Sequence, residues 1–200
     1  MLTTLRRSGF VSIAILIALL HVFGQDKKEP TFEAILTSAR ELMITTRYCA
    51  LITVDRRGQA HARTMDAFPP DANMEVWLAT NPRSRKVGEI RRNNRVTLYY
   101  FDASVQGYVT LYGRARLVND PKEKAIHWKE EWKTFYPDRD KGYLLIAVTA
   151  ERLEVVIEKK GIVPTSPTWT PPTLFFRQIK TKPFKPQVGR THCRIKLDVD

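Results

Sequence analysis

The sequence predicts a mainly β fold in which six antiparallel strands close into a barrel, with helices at its margins. Six segments are rich in β-branched and aromatic residues, as strands are. The connections between them are short, and strand and helix do not alternate regularly enough for a parallel sheet. A chain of 200 residues is long enough for one domain with a proper core and short appendages.

The first elements are a helix and a hairpin. Apolar residues recur at three- and four-residue steps over 31–46, which predicts an amphipathic helix that covers a core. The period then becomes that of strands at 48–54 and 60–65. A turn signal that ends on Gly58 lies between these two segments, so they are predicted to pair as a β-hairpin.

Four more strands and two more helices follow. The strands are predicted at 74–80, 95–101, 108–118 and 144–157. One helix is predicted at 84–93, and another, opened by Pro121, at 121–135. The last strand is unusually long, and a bulge or bend is expected within it at 150–152.

The two ends of the chain differ from this domain, which is predicted to span 31–160. Two cations, Arg6 and Arg7, precede an uncharged apolar run at 10–20. This order is typical of a secretory signal peptide or, if it is not cleaved, an N-terminal anchor. Residues 1–24 are therefore expected to direct export to the periplasm or cell envelope. Residues 25–30 are a polar linker, and the prolines and cations of 161–200 predict an extension that is extended on the surface or disordered.

The net charge of +12 does not by itself indicate a nucleic-acid-binding domain. Residues 177–200 hold seven Lys and Arg against two Asp, so the remainder of the chain is only mildly basic. Such a domain attracts anionic ligands but is a poor candidate for specific nucleic-acid recognition. A polyanion binder that uses this tail stays open as a minor alternative.

The cysteines and histidines exclude other classes of protein. Cys49 and Cys193 are too few for a disulfide framework, and Cys49 is expected to be buried in a strand. His61 and His127 have no third ligand at metal spacing, so no metal site is predicted. No side chain stands out as an acid, base or nucleophile, and no catalytic residue is assigned.

The most informative stretch lies where the third strand ends. Thr80 closes that strand, and after a tight loop a helix begins with Ser84, Arg85 and Lys86. Free N–H groups and the positive end of the helix dipole favour an anion there, while cations oppose the dipole unless an anion joins them. The residues alone leave two interpretations open: a phosphate site, or a solvated charged run with Ser84 as an ordinary N-cap.

The motif around this corner resembles that of a known family. The run Trp-Leu-Ala-Thr-Asn-Pro-Arg-Ser-Arg-Lys at 77–86, followed by Asn-Asn-Arg-Val-Thr-Leu at 93–98, resembles the core motif of the pyridoxamine 5'-phosphate oxidase-like FMN-binding split barrels. The likeness covers about residues 31–160. Trp132 with Phe-Tyr-Pro at 135–137 resembles the general stress protein 26 branch. The resemblance implies a six-stranded antiparallel split β-barrel with flanking helices, homodimeric, with FMN at the subunit interface.

The resemblance also implies which residues bind the cofactor. Those expected at the FMN phosphate are Arg63, Ser84, Arg85 and Lys86. Those expected at the ribityl chain, at the isoalloxazine ring or on the far wall of the site are Thr64, Met65, Thr80, Tyr108 and Trp132.

The implied function is that of an FMN-dependent oxidoreductase acting on a small substrate or an electron carrier. The alternative is a non-enzymatic protein of the cell envelope that binds or senses flavin, a deazaflavin or haem. True pyridoxamine phosphate oxidases end in a substrate-binding segment with arginine and tryptophan. This chain has Trp169-Thr-Pro-Pro and a basic tail instead, so oxidation of that substrate is not expected.

Overall fold

The computed structural model describes residues 29–176. The signal peptide or anchor predicted at 1–24 and the basic tail at 177–200 lie outside this range, as does Cys193. Among the described helices, none combines the length and apolar character that crossing a membrane requires.

The described part of the chain contains three α-helices, seven strands and two short 3-10 helices. In chain order these are α1 (Phe32–Thr46), β1 (Tyr48–Val54), β2 (Ala60–Asp66), β3 (Val76–Thr80), α2 (Arg85–Arg92), β4 (Arg95–Asp102), β5 (Gly107–Val118), α3 (Pro121–Ile126), a 3-10 helix (Glu130–Thr134), β6 (Leu144–Ile157), a second 3-10 helix (Glu158–Lys160) and β7 (Thr173–Phe175).

The strands form one antiparallel sheet that closes on itself. Their order is β2-β1-β4-β5-β6-β3, with β7 paired to β6. A bridge between Ala67, just after β2, and Leu78 of β3 joins the two ends of this order. This bridge closes the sheet into a barrel, so the predicted mainly β, antiparallel barrel is confirmed.

The core lies inside this barrel and is capped at one end by α1. Alternate residues of β1 point inward, and Cys49 is buried there as expected. Leu51, Leu98 and Leu111 come from three neighbouring strands and are each 0% exposed. Burial of one such side chain stabilises the fold by about 1.5–3 kcal/mol. Thr31 caps α1 by accepting a hydrogen bond from the backbone N–H of Ala34.

The prediction of a single helix at 121–135 is wrong. It is broken into α3 and the first 3-10 helix, and the break falls after Ile126. His127 leaves the helical conformation, stacks on Trp77 at 4.0 Å between ring centroids, and accepts a hydrogen bond at its carbonyl from the Tyr143 hydroxyl. Aromatic packing therefore outweighs the helical pattern of the sequence.

The last strands show one confirmed prediction and one missed element. Tyr112 pairs with Arg152 while Gly113 pairs with Ala150, so Glu151 is the extra residue of the bulge predicted in β6. Part of the segment expected to be extended or disordered instead forms β7, which pairs with β6 and buries Leu174. Three residues after two prolines carry too little periodicity to be recognised as a strand.

The bulge makes a prediction about stability. A Cβ on Gly113 would lie 2.3 Å from the carbonyl oxygen of Thr149, so Gly113→Ala forces the two strands apart. We expect the free energy of unfolding in urea to fall by about 1–3 kcal/mol. Gly88→Ala is the control, since a Cβ there meets nothing within 4 Å and lies within α2. Equal stability of Gly113→Ala and wild type would contradict the tight strand contact.

Candidate functional site

A cavity of about 530 Å³ opens beside the end of β3. Its volume lies within the range of small-molecule sites. Of the residues predicted to bind a cofactor, the cavity brings together Thr64, Met65, Thr80, Lys86 and Trp132. The other residues that line it are Arg47, Tyr48, Asp66, Ala79, Asn81, Glu131, Phe135 and Tyr136.

Thr80 and Lys86 of the cavity lining, together with Ser84, which adjoins Thr80 but does not itself line the cavity, form a polar group that we call the basic corner. The Lys86 ammonium donates to the Thr80 hydroxyl at 3.0 Å, and the hydroxyls of Thr80 and Ser84 are also 3.0 Å apart. Ser84 occupies the N-cap position of α2, but its side chain makes no capping hydrogen bond. Its hydroxyl therefore belongs to the corner rather than to the helix.

Lys86 is a half-buried cation of the basic corner. Burial lowers the pKa of its ammonium, and the nearby charge of Arg63 lowers it further, against the opposite influence of Glu89. In the part of the chain that the structure describes, no carboxylate lies within ion-pair distance of Lys86. A partly desolvated charge of this kind is stabilised when an anion joins it.

Arg63 and Arg85 are directed elsewhere. The Arg63 guanidinium donates to the Thr53 hydroxyl at 2.5 Å and to the Glu89 carboxylate at 3.1 Å. Nε of Arg85 lies 3.2 Å from the other Glu89 oxygen. These two arginines, both expected at a phosphate, are thus held on Glu89 next to the basic corner and do not line the cavity.

Glu89 is a carboxylate buried inside the fold, with 3% of its side chain exposed. Burial pushes the pKa of its carboxyl upward, but hydrogen bonds from Thr53 and Arg63 outweigh burial and hold the pKa below its ordinary value. It is therefore ionised at neutral pH.

The cavity also has an aromatic wall. Trp132 is only 5% exposed and packs edge-on against Trp128 and Tyr136, with ring centroids 6.4 and 6.3 Å away. Tyr143 lies behind them and is 1% exposed. The first 3-10 helix positions this wall, so the break after α3 determines where Trp132 lies.

Tyr108 does not line the cavity. It is on the outer face of β5, where its ring centroid is 5.7 Å from that of Tyr99 on β4. The prediction that it forms the far wall of the site therefore depends on a second copy of the chain.

Asp66 lines the cavity and is hydrogen-bonded to Trp132 of the aromatic wall, and the sequence did not predict this role. Its carboxylate accepts hydrogen bonds from Nε of Arg47 at 2.8 Å, from Nζ of Lys129 at 2.6 Å and from the indole N–H of Trp132 at 2.9 Å. Arg47 also pairs with Glu131 at 2.7 Å. The donors are 19 to 66 residues away from Asp66 along the chain, so no local motif reveals the cluster.

The Asp66 cluster affects charge as well as position. Burial raises the pKa of the Asp66 carboxyl, but the hydrogen bonds from Arg47, Lys129 and Trp132 outweigh burial and hold the pKa far below its ordinary value. Asp66 stays ionised, and its partners neutralise it. This part of the cavity therefore offers apolar surface and neutralised charges, whereas the basic corner offers a cation that has no carboxylate partner within residues 29–176.

Comparisons with known proteins agree with this architecture. No curated protein matches the sequence. The family model described as "Pyridoxamine 5'-phosphate oxidase like" matches residues 36–164, which is more than half of the chain. The chain belongs to the pyridoxamine 5'-phosphate oxidase-like family. The resemblance seen in the motif at 77–86 is thereby confirmed.

Solved structures show the same fold. A protein related to general stress protein 26 from Clostridium acetobutylicum is 24% identical, with a TM-score of 0.59, over 64% of this chain and 92% of that one. General stress protein 26 from Bacillus anthracis is 23% identical, with a TM-score of 0.55, over 70% and 98%. A pyridoxamine 5'-phosphate oxidase-related, FMN binding protein from Nostoc punctiforme is 12% identical, with a TM-score of 0.55, over 76% and 99%.

The Asp66 cluster predicts a pH-dependent loss of stability. Asp66→Asn removes the charge that three donors share, and we expect the free energy of unfolding at pH 7 to fall by about 1–3 kcal/mol. Because the folded pKa is depressed, the contribution of Asp66 is complete above its unfolded pKa of about 4 and is lost as the pH falls towards the folded value.

Denaturant unfolding of both proteins between pH 7 and pH 3 measures this difference. The gap between wild type and Asp66→Asn should narrow below about pH 4. Glu131→Gln serves as the control, because Glu131 is an exposed second partner of Arg47, and it should cost no more than about 1 kcal/mol. A gap that is constant with pH would show that Asp66 does not act through its charge.

Proposed function

We propose that this protein is an FMN-binding flavoprotein and that the cavity is its flavin site. The observation that carries the proposal is Lys86, half-buried and, among the residues that the structure describes, without a carboxylate partner, in a cavity that also has an aromatic wall. FMN has the matching asymmetry, with a phosphate of about two negative charges at one end and a planar ring at the other.

The residues present suit such a group. Lys86, Ser84 and the N–H groups at the start of α2 are placed to bind the phosphate. Thr80, Thr64 and Met65 line the cavity, where Thr80 would bond the ribityl chain and Thr64 and Met65 would contact the ring. The aromatic wall around Trp132 excludes water from the ring. When bound, FMN supplies hydride or electron transfer, and these side chains bind and orient it.

The proposed reaction class is oxidoreduction of a small substrate or an electron carrier. A second candidate is non-enzymatic flavin binding, which is favoured by the state of the carboxylates that line the cavity. Asp66 and Glu131 are both held in ion pairs and are not free to act as an acid or base. Catalytic reoxidation of the flavin over many cycles with NAD(P)H or a substrate supports an enzyme, and stoichiometric binding without turnover supports the second candidate.

We further propose that two copies of the chain assemble as a homodimer across the outer face of the sheet. Tyr48, Tyr99 and Phe101 are 52%, 36% and 56% exposed, and the ring of Tyr108 packs beside that of Tyr99 at a tilt. Tyr48 also lines the cavity, so the aromatic face is continuous with the site. Exposed aromatic residues that adjoin a pocket are typical of an interface.

The flavin site is tested by a pair of ligands. Lys86→Ala should weaken FMN binding about tenfold or more, because a charge-assisted bond to phosphate is lost, and should leave riboflavin, which lacks phosphate, almost unchanged. Quenching of flavin fluorescence during titration measures both affinities. Lys133→Ala, a change at an exposed lysine outside the cavity, is the matched control. Unchanged FMN affinity in Lys86→Ala would refute the proposed phosphate site.

The dimer is tested at Tyr99. Tyr99→Glu places a charge in the aromatic face and should convert the dimer to a monomer in sedimentation experiments, with weaker flavin binding. Glu33→Gln on the exposed side of α1 is a control that should remain dimeric. A wild-type protein that sediments as a monomer with FMN bound would refute the dimer and leave the flavin site standing.

A further inference from the structure

Glu89 is surrounded by basic side chains contributed by more than one element. Arg63 and His61 face it from β2, and Arg85 faces it from its own helix. The nearest nitrogen of each side chain lies 3.1 Å (Arg63), 3.9 Å (His61) and 3.2 Å (Arg85) from a carboxylate oxygen of Glu89. Thr53 of β1 also donates its hydroxyl to the carboxylate. A carboxylate that is 3% exposed is costly to bury, and this set of partners offsets that cost.

The two carboxylate oxygens of Glu89 have different partners. Oε2 accepts hydrogen bonds from the Thr53 hydroxyl and from Arg63. Oε1 accepts no hydrogen bond, although Nε of Arg85 is 3.2 Å away. Oε2 therefore links α2 to β1 and β2, while Oε1 attracts Arg85 through charge alone and without a directed hydrogen bond.

The charges near the basic corner are balanced through Glu89. Three cations, Arg63, Arg85 and Lys86, lie near one another, and in the described structure both arginines pair with Glu89 whereas Lys86 pairs with no carboxylate. Arg85 is 69% exposed and free to turn. Arg63 is anchored more firmly, because it also donates to the Leu51 carbonyl and to the Thr53 hydroxyl.

We propose that Glu89 is a specificity-determining residue that competes with a bound phosphate for Arg63 and Arg85. It acts as an internal counter-anion: it neutralises these cations when no phosphate is present and so sets the preference for phosphorylated over unphosphorylated flavin. On phosphate binding, Arg85 turns from Oε1 of Glu89 to the phosphate, and Arg63 uses its remaining N–H groups. The inference rests on the proposed flavin site.

Glu89→Gln separates the charge of Glu89 from its shape. The amide oxygen at the Oε2 position keeps the hydrogen bonds from Thr53 and Arg63. The amide NH₂ takes the position of Oε1, which accepts no hydrogen bond. Removal of the competing charge should tighten FMN binding about tenfold and leave riboflavin within about twofold, so that the ratio of the two affinities rises. Fluorescence titration of the full chain measures both.

Glu41→Gln is the control for net charge. Glu41 is an exposed carboxylate of α1 that pairs with Lys160, and its replacement changes the charge of the protein by the same amount. This variant should leave the ratio of FMN to riboflavin affinity unchanged. A rise in both variants alike would show that overall charge, and not Glu89, governs the ratio, and would overturn the proposal.

Arg85→Ala tests the proposal without altering a buried residue. Because Arg85 is exposed, this variant should fold normally, and its ratio of FMN to riboflavin affinity should fall about threefold or more. In the double variant with Glu89→Gln, most of the gain in FMN affinity should disappear.

The outcomes distinguish the two proposals. FMN binding with a ratio that is unchanged or lower in Glu89→Gln overturns the role of Glu89 alone and leaves the flavin site intact. If Glu89→Gln does not fold, an unchanged ratio in Arg85→Ala overturns it instead. A wild-type protein that binds neither flavin refutes the flavin site and this inference with it.

Discussion

The burial of β3 on both faces is the constraint on which the site depends. All five residues from Val76 to Thr80 are buried, since Val76 and Leu78 pack into the main core and Trp77 and Ala79 pack into a second cluster that contains Trp132. The chain has to leave the barrel directly after Thr80, and it does so through a tight turn into α2. The start of α2, with Ser84 and Lys86, is therefore held at the mouth of the cavity by the packing of a strand.

Two carboxylates, the partly buried Asp66 and the buried Glu89, organise the charges in and beside the cavity. Asp66 accepts hydrogen bonds from three residues and joins β2 to the aromatic wall, so its charge is neutralised there. Glu89 holds two arginines beside the basic corner, while Lys86 has no carboxylate partner among the described residues. Hydrogen-bonded carboxylates of this kind specify geometry more than they add stability, because desolvation offsets much of the attraction.

The fold and the function rest on different evidence. The family match and the solved relatives, all below 25% identity, establish a split barrel of the pyridoxamine 5'-phosphate oxidase-like family. A shared fold supports many activities, so the proposal of flavin rests on the site: a cation with no carboxylate partner among the described residues, a helix N-terminus and an aromatic wall. The two carboxylates that line the cavity, Asp66 and Glu131, are engaged with cations.

The sequence by itself determined the structural features that depend on residues close together along the chain. Strand periodicity located six strands and the bulge near Glu151, and the motif ending at Lys86 identified the corner and the family. Only the tertiary structure decided the break at His127, the strand β7, the Asp66 cluster and the attachment of Arg63 and Arg85 to Glu89. Most of these features join residues that are far apart in sequence. Packing and the pairing of buried charges decide which side chains meet across the barrel, and local sequence periodicity does not predict either of them.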